Sequence, residues 1–505
     1  MAHLVIDRGV TAALGLLLLG PPLTVGAVGL GLPLPFAILA VIGLGLIVLF
    51  SRAPAIALAD ARRHPVAAAV LAVTFAIAVN FSIRTSLYAY DPDAVRFSVA
   101  PGDKFREEHL CMTAYAEAAR FAAVPVTNVY ARELYRPAEG FRRIGRFTVD
   151  YYHYPPPFLL LPTAIRLVAP DFFDFRRVWF AMQVTAVVGL WLTLAWWIGG
   201  PTGRRFGYGG VVLMAMPVTW ASLQVGNIQT TIAASALVGA MAVASGRVPL
   251  GTALLAAATL GKIFPGVLLA HVLAWWRPKV AAWALAWGIG ITLLTAATFG
   301  VGIFGEFAFG ELPRMLSGDS FSQTELPWSA PVNQSIYGFT VKLRWLGLTF
   351  LDRGAGKAIT RGLVILLGVA VLVVGWRVAR MADISSNDHR LGLALICFGF
   401  LNLASLISPF VGGAYGAAFT IWLALLVGIS TVPPGARRAM LAAAALLFVT
   451  NGLTASPRLG VVPSFEVLAA ATLGSVALLG INIAAVWIGS QLIRRRFPAM
   501  TRTTT

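Results

Sequence analysis

The residues of this chain that can do chemistry stand in short phrases. Glu107, Glu108 and His109 are consecutive in Lys104-Phe-Arg-Glu-Glu-His109, and Asp150-Tyr-Tyr-His-Tyr-Pro-Pro-Pro157 sets Asp150 and Tyr154 before a triple proline. Carboxylates and imidazoles are the groups that move protons at a reacting hydroxyl. Adjacent Glu107 and Glu108 disfavour each other's ionisation, as like charges do, and Lys104 and Arg106 offer them ordinary ion pairs. Amides come in pairs, Gln224 with Asn227 and Asn333 with Gln334. They suit hydrogen bonds to ligand hydroxyls or between helices. Tyr115, and Tyr415 after Ser408-Pro409, add phenols. Lys262 stands in Gly261-Lys-Ile-Phe-Pro265 inside an apolar run. A lone lysine there costs about 2.5–3.5 kcal/mol on insertion scales and faces a partner or a cavity, which makes it a candidate for holding an anion.

The elements that must position these residues follow from composition. Of 505 residues, 58% are apolar and only 12% charged, with a mean hydropathy of +0.79. An average soluble domain is about 25% charged. Apolar runs of roughly 18–25 residues between arginine clusters predict an all-α polytopic membrane protein. The net charge of +18 lies beside those runs. It reads as positive-inside anchoring, with membrane lipids as neighbours and no nucleic-acid partner. Cys111 and Cys397 are the only cysteines. No disulfide is expected between them, and no Cys/His spacing along the chain or acidic cluster marks a metal site. The apolar N-terminus reads as a retained helix.

Charge bookkeeping orders the crossings. Runs at 10–30, 33–50 and 65–83 surround an inner basic turn at Arg52, Arg62 and Arg63, and they leave the polar segment 85–171 outside. That segment holds ten of the 21 acidic residues. Within it, Met112 to Ala123 has helical spacing, with Glu117 near Arg120. Pro157 suits a first helical turn, and 158–168 is too short to cross. Runs follow at 175–198, 208–220 and 228–244. The run between Arg247 and Arg277 is broken at Lys262 and reads as two half-helices. A crossing at 280–301 leads to a second outer segment, 302–335, with Glu306, Glu311, Asp319 and Glu325. Five further runs lie at 361–376, 391–407, 417–432, 441–454 and 468–492. The total is about twelve spans with both termini inside. The organisation is a hairpin and turn (1–64), a core (65–430), and C-terminal helices with a tail (431–505). On this topology the Gln224/Asn227, Asn333/Gln334/Ser335 and Ser408/Pro409/Tyr415 patches share the outer side with the acidic segment, as one composite site.

In order, Tyr115-Ala-Glu-Ala-Ala119 with Asn128-Val-Tyr130, Tyr154-Pro-Pro-Pro157, Gln224-Val-Gly-Asn227, Lys262-Ile-Phe-Pro265, Asn333-Gln-Ser-Ile336 and Ser408-Pro409 resemble the polytopic GT-C glycosyltransferases. The resemblance is closest to glycosyltransferase family 87, which includes the mycobacterial phosphatidylinositol-mannoside mannosyltransferases, and covers about residues 65–430. It implies a GT-C helical bundle with a large first outer loop. It also implies a polyprenyl-phosphate sugar donor, most often of mannose, and inverting transfer to a lipid or glycan acceptor. Transfer would occur at the outer face of the bacterial cytoplasmic membrane, with a loop carboxylate as base and no organic cofactor. The family pattern has an Asp four or five residues before Tyr-x-x-Ala, where this chain has Leu110 and Cys111. The base is therefore expected at Glu108, with Glu107, Asp150, Asp91 and Asp93 as alternatives and His109 as an orienting group. Tyr115, Tyr154, Gln224, Asn227, Asn333, Gln334 and Tyr415 are expected to bind substrate. Lys262 is expected to face the leaving phosphate, ahead of Arg84, Lys342 and Arg344. The alternative is a lipid-linked sugar transporter or flippase, which calls for matching interrupted helices in two related halves; one such break, at Lys262, is evident.

Overall fold

The computed structural model describes residues 2–50, 65–124, 128–275, 277–321, 325–380, 386–430, 432–454 and 462–494. The basic turn at Arg52, Arg62 and Arg63, the tail beyond 494 and the side chain of Tyr415 lie outside the described residues. The chain is a polytopic helical membrane protein. Among the described residues, six helices are long and apolar enough to cross a membrane: Gly9–Gly29, Pro65–Tyr90, Phe172–Ile198, Pro278–Phe299, Arg353–Ala379 and Phe465–Arg494. Gly200–Met214 and Pro217–Val225 make a further, bent pair at 66°. Shorter apolar helices, among them Gln229–Ala244, Val248–Gly261 and Gly416–Gly428, fill the interior. Further helices, Leu34–Phe50, Asn387–Ser405 and Pro434–Thr454, fall on other expected runs. The expected run 208–220 is interrupted, because the backbone leaves the helix between Met214 and Pro217. Pro217 takes the first position of its helix after a break, where its missing N–H is no loss. Lys262 is extended (φ −157°, ψ 131°) between Val248–Gly261 and Gly266–Leu273, as the two half-helices expected there.

The Phe172–Ile198 helix is the central post. Asp171 caps it by accepting the Phe173 N–H at 2.7 Å, and Trp179 and Trp191 on it are fully buried. Ala2–Gly29 packs along one side of it and Gln229–Ala244 along another. Gln229–Ala244 and Val248–Gly261 lie close because Gly239 and Gly251 face each other. A Cβ on Gly251 would stand 2.6 Å from the Gly239 carbonyl oxygen, so small residues set this helix spacing. Asn387–Ser405, Gly413–Gly428 and Phe465–Arg494 are joined by buried amides. Asn402 donates to Asn482 at 2.9 Å, and Asn482 to the Thr420 hydroxyl at 3.0 Å. Pro278–Phe299 packs on Val248–Gly261 and on the Pro156–Leu159 turn, and its other face exposes Leu285, Ile289 and Leu293.

The polar segment after Tyr90 folds onto one end of this bundle. The Met112–Ala122 helix matches expectation, and the triple proline leads into a 3-10 turn, Pro156–Leu159, and the Leu160–Val168 helix. A small hairpin, Arg143–Ile144 against Phe147–Thr148, was not anticipated. Its two-residue turn uses Gly145 at φ +56°, the left-handed conformation such turns need. Buried Arg176 lies 4.6 Å over Tyr88 and 5.0 Å over Phe147, tying hairpin to bundle.

The second polar segment docks on the first. It contains a π-helical stretch, Glu306–Glu311, followed by the Leu312–Ser317 helix. Glu311 is buried and accepts from His153 Nδ1 at 2.6 Å and from the Ser320 hydroxyl at 2.6 Å, with Arg314 at 2.7 Å. Burial pushes its carboxyl up, but the His153 hydrogen bond and charge, Ser320 and Arg314 outweigh burial and hold it below its ordinary value. A carboxylate with a lowered folded pKa adds stability above its unfolded pKa and loses it as pH falls through the folded value.

Two outcomes follow. Gly251→Val should lower stability by about 1–3 kcal/mol through overpacking, read as a melting shift in detergent. Gly288→Val, with nothing within 4 Å of its Cβ, should leave the melting point unchanged. Glu311→Gln should lower the neutral-pH melting point by an amount equivalent to about 1–3 kcal/mol. It should also remove the part of the acid destabilisation that sets in below pH 4.5 in the parent protein.

Candidate active site

The site is built on a bend. The Pro217–Val225 helix ends at Gly226, φ +70°, a left-handed position that glycine takes without strain. A Cβ there would meet Met112 Cε at 2.2 Å. The bend is fixed from behind: Trp179 Nε1 donates to the Gly226 carbonyl at 2.9 Å and Gln183 to the Asn227 carbonyl at 2.8 Å. It also receives the polar segment, because the Cys111 N–H donates to the Val225 carbonyl at 2.8 Å. Gln224 secures the same join. Its oxygen accepts the Val99 N–H at 2.7 Å, and its nitrogen donates to the Ser98 hydroxyl at 3.0 Å and the Arg106 carbonyl at 3.1 Å.

His109, Cys111 and Asp150 meet on this bend. His109 is extended, so residues two apart share a face; Leu110 between them is fully buried. A parallel bridge pairs His109 with Thr148. Thr113 then sets Asp150: its hydroxyl donates to the Leu110 carbonyl at 2.7 Å and accepts the Asp150 N–H at 3.1 Å. The result puts His109 Nδ1 3.3 Å from Asp150 Oδ1 and His109 Nε2 3.7 Å from Cys111 Sγ. Asn227 Nδ2 lies 3.5 Å from the same sulfur. The imidazole stacks on Phe105, centroids 4.5 Å apart. Burial lowers the His109 pKa, yet the Asp150 charge and hydrogen bond, with Cys111 adding, carry it well above its ordinary value. Asp150 keeps about a third of its side chain (30%) open to solvent.

One helical turn beyond Cys111, Tyr115 shares a 2.7 Å hydrogen bond with Tyr154. Burial raises both phenols, so they stay neutral donors. The Ile228 N–H reaches the Tyr115 oxygen at 3.4 Å, and Asn227 Oδ1 accepts the Gln229 N–H at 2.9 Å. Both contacts lie at the start of Gln229–Ala244, whose N-terminal end is positive. Lys262 Nζ sits 5.0 Å over the Tyr154 ring and donates to Gln229 Oε1 at 3.4 Å. Thr231, in the same first turn, is buried with no hydrogen-bond partner for its hydroxyl. Phenols, an ammonium group and a helix N-terminus thus converge beside a carboxylate.

The other expected residues lie elsewhere. Glu108 ends the short Lys104–Glu108 helix and pairs with Arg143 at 3.1 Å on an exposed face. Glu107 is buried, accepts the Gly102 N–H at 2.7 Å and stands 3.6 Å from Arg146. The chain becomes extended at His109, so the glutamates and the histidine leave it in different directions. Asn333 forms a clamp rather than an open contact: it donates to the Pro409 carbonyl at 3.0 Å and accepts the Val411 N–H at 3.1 Å. Gln334 is buried with its side-chain oxygen unpaired. Of the cations weighed with Lys262, Arg84 holds the Ser98 carbonyl at 2.9 Å, Lys342 the Asn333 carbonyl and Arg344 the Glu325 carboxylate. Sequence reasoning passed over Cys111, Thr113 and Gln229. Their signal was there: Cys111 follows His109 by two, and Gln229 follows Asn227 by two.

Among known proteins, the chain matches glycosyltransferase family 87 over residues 152–409, just over half of its 505 residues. The match includes Tyr154, Gln224, Asn227, Lys262, Asn333 and Gln334, and begins two residues after Asp150. No curated protein and no solved structure matched the chain. The agreement of that match with a helical membrane bundle and a carboxylate–cation cluster leads to one conclusion: the chain belongs to glycosyltransferase family 87.

Proposed function

We propose that this glycosyltransferase moves a hexose, mannose, from a polyprenyl-phosphate donor to a hydroxyl of a lipid or glycan acceptor, with inversion. The observation that carries this reading is the placement of both groups on one bend: Asp150 is held against His109 beside Cys111, and Tyr115, one helical turn beyond Cys111, bonds to Tyr154 under Lys262. Asp150 takes the proton of the acceptor hydroxyl as its oxygen attacks the anomeric carbon. The bond from that carbon to the phosphate oxygen breaks on the opposite face, and polyprenyl phosphate leaves. Lys262, the two phenols and the N-terminus of Gln229–Ala244 stabilise the charge that grows on the leaving phosphate, since fixed donors act most strongly where charge develops. His109 holds the Asp150 carboxylate in place. Glu108, turned toward Arg143, is the weaker base candidate, and Glu107 is engaged by Gly102 and Arg146.

A lipid-linked donor is supported by the surroundings. Pro278–Phe299, apolar and outward-facing, packs directly on Pro156–Leu159 and Val248–Gly261, which flank Tyr154 and Lys262. The corner therefore lies one helix from the lipid-facing surface, where an isoprenoid tail is at home. Sidedness rests on charge: fourteen of 21 acidic residues fall in segments 85–171 and 302–335, and the remainder of the chain is strongly basic. This favours a site at the outer face of a bacterial cytoplasmic membrane.

Asp150→Asn should cut turnover by about 10²–10⁴-fold, read as polyprenyl phosphate released in proteoliposomes, while donor binding persists. Glu108→Gln should stay within about 3-fold of the parent, because an exposed ion pair contributes little. The reverse pattern would move the base to Glu108. Lys262→Met should lower kcat by about 10²–10³-fold; an unchanged kcat would remove Lys262 from the phosphate site.

A further inference from the structure

His109 is extended, Cys111 at the start of the Met112–Ala122 helix approaches its ring at 3.7 Å, and Asp150 is brought to them by the Thr113 hydroxyl. The three offer an imidazole nitrogen, a sulfur and a carboxylate oxygen, all within 4.8 Å of one another. We infer that they form a binding site for a thiophilic divalent cation of the Zn²⁺ class, and that its occupancy switches sugar transfer off.

The argument is one of donor type and spacing. Sulfur and imidazole select zinc-like ions over Mg²⁺, Ca²⁺ and Mn²⁺, which prefer oxygen. Around a tetrahedral ion with metal–sulfur about 2.3 Å and metal–nitrogen or metal–oxygen about 2.0–2.1 Å, neighbouring donors stand about 3.3–3.6 Å apart. His109 presents Nδ1 to Asp150 at 3.3 Å and Nε2 to Cys111 at 3.7 Å, and one ring nitrogen, the sulfur and a carboxylate oxygen lie within 4.8 Å of one another. Contracting separations of up to 4.8 Å to that size takes side-chain movements of about 1 Å. Three protein ligands leave one coordination position open, and all three residues are partly exposed, so an ion can enter from solvent. Outside the ligands, the Asn227 amide already lies 3.5 Å from the Cys111 sulfur; such hydrogen-bonded neighbours orient metal ligands and tune affinity. No zinc spacing exists along the chain because the third donor comes from beyond the hairpin. The binding site stands on these donors alone. The inhibitory effect rests on the reading of Asp150 as base, because a carboxylate bound to a metal cannot take the acceptor proton.

The test uses the full-length protein in nanodiscs with Cd²⁺ as spectroscopic probe and Zn²⁺ in the transfer assay. Cd²⁺ should produce a thiolate charge-transfer band that saturates at one equivalent in the parent and in Cys397→Ser, whose cysteine is buried in the Asn387–Ser405 helix. Cys111→Ser should abolish the band. Asp150→Asn should weaken binding at least 10-fold and Asn227→Ala by about 10–100-fold, while excess Mg²⁺ should not compete. Zn²⁺ should lower transfer at least 10-fold, reversibly with a chelator, and Cys111→Ser should resist it. A parent protein that gives no band, or a band that survives in Cys111→Ser, overturns the cation site whatever the transfer assay shows. A saturated site with transfer at full rate leaves the site standing and overturns Asp150 as the base.

Discussion

The hydrogen bond from the Cys111 N–H to the Val225 carbonyl, 2.8 Å long, joins the polar segment to the membrane bundle, and the chemistry depends on that join. It forms only because Gly226 turns left-handed under Met112. On one side of it the chain runs into His109 and Cys111; on the other it enters Asn227, Gln229 and a helix N-terminus. A backbone contact between two segments remote in sequence therefore sets His109 and Cys111 beside Asn227. Gln224 reinforces the join with all three of its hydrogen bonds, and its role follows from that: it holds the segment in place.

The same economy of polar groups explains why interior helices are broken where they are. In a bilayer every backbone group that leaves a helix must find a partner inside the protein or line a cavity. Here the helix ends at Gly226 and Lys262 gather at one corner, so their freed groups serve the site. Polar residues away from this corner are closed on one another, as in the Asn402–Asn482–Thr420 set, or on backbone, as with Asn333 and Pro409. The second segment is locked onto the first through Glu311 and His153.

Much of this was legible in the sequence. Hydropathy and arginine clusters indicated a polytopic helical protein, and the Gly-Lys-x-x-Pro phrase marked a helix break that the structure contains. The ordered motifs pointed to the right family. The bend before Pro217 was not anticipated, because an apolar run says nothing of whether its backbone stays helical. Within the site, Lys262, Tyr115, Tyr154, Asn227, His109 and Asp150 were named beforehand, but their grouping was not. Glu108 ranked first because it adjoins His109 in sequence. The pairing of His109 with Thr148 and the Thr113 clamp on Asp150 are long-range contacts, and no local pattern encodes them. The short Arg143–Thr148 hairpin that makes them possible has strands of only two residues each, too short to leave a periodicity.

One corner, bounded by Tyr154, Gln229 and Lys262, is proposed to hold the phosphate of a lipid-linked sugar near Asp150. The most direct test is photo-crosslinking with a polyprenyl-phosphate sugar that carries a diazirine on its first isoprene unit, followed by peptide mapping. The account predicts labels on the peptides around Tyr154 to Leu159, Gln229 and Lys262 to Pro265, displaced by unlabelled donor. Labelling confined to other helices, such as those bearing Asn402 and Asn482, with none at this corner, would contradict it.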